Sequence, residues 1–303
     1  MTLPPFNPDL VDVVLGHDTG YPAAEAEKDT PEAIVEAFGE TSREFPDALY
    51  VPEEEWEERI EENTAKQLWA HNYLDRFTHQ GSSHECTCHA LRAVCAAARN
   101  RQRRISFGDG PQANVRLAVS ATSASVWLSP VSVYAEANPG QWGGASCQGV
   151  IGIACRRGML PAIKQPRDWG LKHTMATTCG GHDGTNQVDG SWPSFRSGTF
   201  RRIPEHWPDA NWTDTAKHFR PLECVNPRST AQYVSLVLRG YAIGIGRSGH
   251  SVPITFLTLD RGRIYYGYAD SYNVVRYDSR AYYSSSYSVL SFTTPDDWEK
   301  PAG

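Results

Sequence analysis

The sequence lacks a basic excess, a secretion signal and any long apolar run. Its 303 residues carry a formal net charge of -6, whereas general nucleic-acid binders usually show a basic excess. The N-terminus has no basic start followed by an apolar stretch, as a signal peptide would. No segment reaches the roughly 20 apolar residues that a membrane-spanning helix needs. We therefore expect no nucleic-acid partner, no membrane anchor and a cytoplasmic or virion-associated location.

Cysteine is present in an odd number, so complete pairing within the chain is excluded. Without an export signal, the expected state of these residues is the reduced thiol. At least one thiol is free in any case, and a reactive one is therefore worth seeking. The seven cysteines are Cys86, Cys88, Cys95, Cys147, Cys155, Cys179 and Cys224.

Residues 1–50 differ in composition from the rest of the chain. They are rich in proline, acidic and small residues and predict an extended acidic arm with one short helix. Thr30 is a suitable N-cap for that helix and Pro31 suits its first position. Such an arm would suit contact with an assembly partner. The remaining residues, 51–303, are predicted to form one domain.

The domain has helical patterns first and β patterns last. Its helical half extends to about residue 165, and one of its predicted helices covers 146–158 and ends at a glycine. Residues 166–227 are dense in Pro, Gly, Trp and His and predict long loops. The β half, 228–303, opens with a helix closed by Gly240 and continues with segments rich in β-branched and aromatic residues. This segregation predicts the α+β class, with helices packed against a mostly antiparallel sheet.

The stretch HQGSSHECTCHALRA, residues 79–93, carries the strongest chemical signal. Cys86 directly precedes an Ala-rich helical pattern, and the start of a helix stabilises an anion through its dipole and free amides. A thiol pKa falls at such a position, and falls further beside a cationic imidazole. His250, which opens an apolar strand, is the candidate base. Asp270, which ends another strand, is the candidate group that orients it.

These motifs resemble those of the papain-like cysteine peptidases. The resemblance runs in the family's order over about residues 75–292. The family places Gln-Gly, then four residues, before its nucleophile, and Gln80 stands at that spacing from Cys86. His250 stands at the position of the family's catalytic histidine. Asp270 begins the Asp-Ser-Tyr that stands where the family has Asn-Ser-Trp.

The resemblance implies a fold and a set of roles. The fold would be papain-like, with an active-site cleft between the helical half and the β half. The activity would be hydrolysis of peptide bonds in a peptide or protein substrate through an acyl-enzyme, without a cofactor or a metal. The implied site residues are Cys86 as nucleophile, His250 as acid and base, Asp270 as its orienting group, Gln80 in the oxyanion hole, and Gly143 and Gly144 against the substrate backbone.

Several positions depart from the family's pattern. Asp270 replaces an asparagine, and its charge would favour the imidazolium form of His250. Tyr272 replaces the indole that shields this contact in the family. Thr87 and His89 replace the aromatic pair that follows the nucleophile. These departures leave substrate specificity open.

Two alternatives concern the same cysteine motif. Cys88 is the alternative nucleophile, although the spacing from Gln80 favours Cys86. A zinc site is the other alternative, but a Cys-x-Cys pair is tighter than the usual ligand spacing and no matching second pair appears. Its four ligands would be His84, Cys86, Cys88 and His89.

Two other functions remain open at the level of sequence. A virion or assembly protein, such as a component of a phage capsid or tail, would use the papain-like fold as a scaffold and residues 1–50 as the partner contact. A cell-wall hydrolase would also place a cysteine before a histidine along the chain. The spacing of Gln80 and the Gly143-Gly144 pair favour the peptidase over the hydrolase.

Overall fold

The structure, a computed structural model, belongs to the α+β class that the sequence predicts. Helices fill most of the first half of the described chain, and an antiparallel sheet fills most of its last part. The described residues are 3–13, 21–74, 85–106, 128, 130–137, 144–159, 216–247, 249–271, 274–280 and 283–293.

Local sequence signals fix where several helices begin and end. The hydroxyls of Thr30, Ser146 and Ser229 each accept a hydrogen bond from the backbone N–H three residues on, as N-caps do. Gly158 and Gly240 follow two helices with φ of 86° and 78°, a conformation that favours glycine. The helices are α1 (Ala23–Ala26), α2 (Pro31–Phe38), α3 (Trp56–Lys66), α4 (Ala70–Tyr73), α5 (Cys86–Ser106), α6 (Pro130–Ala137), α7 (Cys147–Arg157) and α8 (Thr230–Leu238).

The described strands form one six-stranded sheet in the order β1-β6-β2-β3-β4-β5. Each neighbouring pair is antiparallel. Four of the strands lie where β-branched and aromatic residues predict them. The strands are β1 (Pro221–Val225), β2 (Ile243–Arg247), β3 (His250–Asp260), β4 (Arg263–Asp270), β5 (Val274–Asp278) and β6 (Tyr287–Phe292).

The two edge strands do not follow the sequence pattern. β1 falls within residues 166–227, where long loops are expected, so the loop prediction is wrong for this part. It is short and has an irregular register against β6, and an edge strand needs no continuous apolar run. β5 contains Arg276 and Asp278, and because of these charged residues its sequence does not predict a strand. Both are buried because each forms an ion pair with a side chain of another strand.

Helix α5 joins the two halves of the domain. It packs against β2, β3 and β6 and contributes Cys86, Leu91 and Val94 to an apolar cluster shared with α2, α6 and α7. A second cluster lies between the sheet, α3 and α8. The first residue of α5 is therefore held against the sheet by the core itself.

The described parts of residues 1–50 pack against the domain. The Phe6 ring lies 5.0 Å from that of Tyr265 and 4.8 Å from that of Tyr277. The backbone N–H of Asp12 donates to the Tyr277 carbonyl at 2.9 Å. Helix α2, the short helix predicted here, buries Phe38 against α7. Among the described helices, none is long and apolar enough to cross a membrane.

Candidate active site

Cys86 is the first residue of α5, as the sequence predicts. Its side chain is fully buried, with 0% of its surface exposed. The thiol is therefore covered in this structure and does not lie at an open cleft. It occupies the end of the helix where an anion is stabilised.

His250 and Asp270 come from neighbouring antiparallel strands. His250 is the first residue of β3 and Asp270 the last residue of β4, so antiparallel pairing brings both to the same end of the sheet. The Nε2 atom of His250 lies 3.0 Å from Oδ1 of Asp270. The Cys86 thiol lies close enough to the His250 ring for the two groups to interact. Because Asp270 engages Nε2, the nitrogen able to face the thiol is Nδ1.

The surroundings of His250 favour its cationic form. Burial opposes the charge, but hydrogen bonds and charge interactions with Asp270 and Cys86 outweigh it and raise the pKa of His250 to about 10. The ring is only 5% exposed, so water screens these interactions weakly. This arrangement can hold an imidazolium beside a thiolate.

The sequence analysis did not identify Arg276 as part of this group. Its Nε atom lies 3.0 Å from Oδ2 of Asp270, the oxygen that does not face His250. The Ser271 hydroxyl donates to Oδ1 of Asp270 at 3.4 Å. In the sequence, Arg276 is a charged residue within a β-branched segment. Such a residue is normally interpreted as lying on the surface.

The surroundings of Cys86 and Cys88 distinguish these two candidate nucleophiles. Burial raises the pKa of the Cys88 thiol well above its usual value, and the nearby Glu85 carboxylate adds to the rise. Glu85 lies 3.6 Å from His89, both side chains being buried. Among the described residues, no group of three or more His, Cys, Asp or Glu side chains could hold a metal ion.

A second thiol lies at the start of a helix in the same region. Cys147 is the first residue of α7, and its thiol lies close enough to Cys86 for their charges to interact. Its backbone N–H donates to Asp29 at 2.6 Å, and the next N–H, of Gln148, donates to the same carboxylate at 2.7 Å. The Tyr21 hydroxyl also donates to Asp29, at 2.8 Å. The contacts of Asp29 with α7 join positions more than a hundred residues apart in the sequence, and no local pattern indicates them.

The remaining predicted positions divide into described and undescribed residues. Gly144 is half-buried and lies two residues before Ser146, the N-cap of α7. Gln80, Gly143 and Tyr272 lie outside the described residues, as does His84 of the zinc alternative. The structure therefore brings together Cys86, His250 and Asp270 of the predicted set.

Comparison with known proteins gives one weak structural similarity. No family model matches the chain, and no curated protein matches it. Among solved structures, the chain is similar to Xylellain, a cysteine protease from Xylella fastidiosa, with 14% identity and a TM-score of 0.44. The similarity covers 71% of this chain and 82% of that one. A similarity at this level does not define the activity of the chain.

Proposed function

We propose that the chain is a papain-like cysteine peptidase, with Cys86 as the nucleophile. The observation that carries the proposal is that the Cys86 thiol lies beside the His250 ring, whose Nε2 atom lies 3.0 Å from Oδ1 of Asp270. A thiol at a helix start, an imidazole beside it and an acid on the far ring nitrogen form a nucleophile, its base and the group that orients the base. The order of the motifs along the chain, which resembles the family, supports the same roles.

The reaction follows from these roles. The Cys86 thiolate attacks the peptide carbonyl carbon, and the imidazolium of His250 gives its proton to the leaving amine as the C–N bond breaks. A thioester then joins the acyl group to Cys86. Water attacks this thioester while His250 takes its proton, and the acid product leaves with the Cys86 thiolate and the His250 imidazolium restored. Asp270 keeps the ring oriented throughout.

The roles of Gln80, Gly143 and Gly144 come from the resemblance alone. Gln80 would donate a side-chain N–H to the oxyanion that forms on the attacked carbonyl. Gly143 and Gly144 would pair with the substrate backbone, because glycine lets another chain approach closely. No cofactor takes part in this scheme.

The burial of the site bears on substrate access. Cys86 is completely covered and His250 nearly so, which keeps their charges poorly screened by water. A substrate carbonyl reaches the sulfur only when covering residues move aside. We therefore expect extended, unfolded polypeptides to be cleaved more readily than folded proteins.

The scaffold alternative depends on the N-terminal segment. A virion or assembly role would need residues 1–50 to bind a partner subunit. The contacts of Phe6, Asp12 and Phe38 place the described parts of this segment against the chain's own sheet and helices. That packing favours the peptidase over an assembly arm.

A cleavage assay with matched cysteine variants tests the proposal. The full chain, reduced with dithiothreitol, is incubated with an unfolded, alkylated protein, and new N-termini are identified by mass spectrometry. We expect Cys86→Ala to abolish cleavage and Cys88→Ala, the equally buried neighbour, to retain it. Thermal unfolding of both variants checks folding, since each removes one buried sulfur and costs about 1–2 kcal/mol.

The outcomes of this assay differ clearly. Loss of cleavage with Cys88→Ala, and not with Cys86→Ala, would show that the nucleophile was assigned two residues too early. An intact chain that cleaves nothing, or a Cys86→Ala variant that cleaves fully, would overturn the proposal.

A further inference from the structure

A second buried charge stands behind the candidate site. Asp270 turns Oδ1 towards His250 and Oδ2 towards Arg276, and each contact is 3.0 Å long. Asp270 is 2% exposed and Arg276 is 8% exposed. Burying a guanidinium is unfavourable unless a carboxylate compensates it. The ion pair is therefore an internal part of the site and not a surface contact.

The sheet register brings the two side chains together. In the β4–β5 pairing, Arg276 stands opposite Tyr268 and Asp270 stands opposite Val274. Arg276 and Asp270 are thus diagonal neighbours on one face of the sheet, within reach of a long side chain. A shift of β5 by one residue would turn Arg276 to the other face.

We propose that Arg276 is a positioning residue that holds Asp270 towards His250 and offsets its charge. The Arg276–Asp270 pair then has no net charge, and its carboxylate still accepts the hydrogen bond from the His250 ring. This inference rests on the proposed function and extends it. The papain-like family, which the motifs resemble, has the neutral amide of an asparagine at this position. Asp270 with Arg276 gives the ring a comparable neutral partner by a different route.

The chemical reason lies in the proton that His250 must release. A lone buried carboxylate beside the ring would hold that proton strongly and slow its transfer to a leaving amine. A guanidinium on the other carboxylate oxygen weakens this hold and leaves the hydrogen bond in place. Arg276 therefore sets how acidic the imidazolium is, although it does not contact the ring.

Other charged and titratable groups lie on the elements that flank His250. Arg247, opposite His250 in the β2–β3 register, lies 3.2 Å from Asp278 in a separate buried ion pair. This second pair offers a matched control. The groups are Cys86 on α5, Cys147 on α7, Arg247 on β2, Tyr268 and Asp270 on β4, and Arg276 and Asp278 on β5.

Titration of His250 in four forms of the full chain tests the inference. The imidazole nitrogens are followed by NMR between pH 5 and pH 12 in the wild type, Arg276→Met, Asp270→Asn and the double variant. We expect the pKa of His250 to rise in Arg276→Met by about one unit, the scale of one charge on the order of 10 Å away at an effective dielectric near 20. The pKa of His250 should fall in Asp270→Asn, because the imidazolium then has no carboxylate beside it. The double variant should lie between the two single variants.

Two further variants keep the test decisive. Arg276→Lys keeps the charge and should bring the pKa of His250 back towards the wild-type value even if Arg276→Met folds poorly. Arg247→Met removes an equally buried guanidinium that does not contact Asp270, and it should change the pKa of His250 less. An unchanged pKa in Arg276→Met, or an equal change in Arg247→Met, would overturn the role of Arg276.

The titration does not depend on cleavage. If the chain cleaves no substrate but the pKa values follow this order, the inference about Arg276 stands and the peptidase proposal fails. If the chain cleaves peptides but Arg276→Met titrates as the wild type does, the peptidase proposal stands and this inference fails.

Discussion

Two cysteines begin helices in the described chain, and their neighbouring groups differ in charge. Cys86 opens α5 beside the imidazole of His250, whereas Cys147 opens α7 beside the carboxylate of Asp29. Both thiols are fully buried. Burial raises the pKa of Cys147 well above its usual value, and the charge of Asp29 raises it further. A position at the start of a helix therefore does not keep the pKa of the Cys147 thiol low.

The backbone N–H groups at the start of α7 are also already engaged in hydrogen bonds. At α7, the first two backbone N–H groups donate to Asp29 at 2.6 and 2.7 Å. A group already bound to a carboxylate is not available to stabilise an oxyanion. Within the part of the chain that the structure describes, Cys147 therefore has neither the imidazole nor the free donor that the proposed chemistry needs.

Removing the imidazole of His250 should leave Cys86, like Cys147, without a neighbouring base. We expect this change to cause the largest loss of activity. His250→Gln leaves Cys86 at a helix start without a base, as Cys147 is. We expect kcat/KM for peptide cleavage to fall by at least ~10³-fold, the scale of losing one member of a catalytic group. Rates are measured with the substrate used to establish cleavage.

The matched control is His71, another buried histidine of the described chain. His71 packs edge-on against Phe256, with ring centroids 5.4 Å apart, and burial lowers its pKa to about 4. His71→Gln removes a buried ring of the same size and should retain cleavage. If the two variants lose the same activity, the loss reflects folding and not chemistry.

How far the sequence predicts this structure depends on the range of each interaction. The caps at Thr30 and Ser146 act within three residues, so the helix limits follow from local pattern. Strands rich in β-branched and aromatic residues are predicted for the same reason. β5 is missed because Arg276 reads as a surface residue until its partner on another strand is known.

The same limit applies to the candidate site. Cys86 and His250 are found from their local positions and from the family's order of motifs. Asp29 caps a helix that starts more than a hundred residues later, and this contact exists only after folding. Charge pairs between distant segments leave no periodic signal in a single sequence. The groups that tune the site are therefore the ones that sequence analysis misses.

The protonation of His250 should also be visible in the pH dependence of stability. Its pKa is raised from 6.5 to about 10 in the folded chain, so the folded state binds this proton more tightly than the unfolded state. The resulting stabilisation is complete below about pH 6.5 and is lost as the pH rises through about 10. We expect the urea midpoint to fall across this interval. Because His250→Gln lacks the group, its midpoint should fall less, and an identical decline in both proteins would contradict the assignment.

The smallest expected effect concerns Cys147 and tests whether the charge of Asp29 raises the pKa of this thiol. Asp29→Asn removes the negative charge beside this thiol and keeps one oxygen to accept from the amides of α7. The pKa of Cys147 should therefore fall, because the charge of Asp29 is one of the causes of its rise. Unfolding free energy should decrease by about 1 kcal/mol, the scale of a weakened N-cap. The thiol is followed through its ¹³Cβ chemical shift, with Asp47→Asn, an exposed acid of the same N-terminal segment, as the control. Cleavage should remain with Cys86, because lowering the pKa of Cys147 gives it no base. A Cys147 titration that Asp29→Asn leaves unchanged would show that the neighbouring acid does not separate the two cysteines.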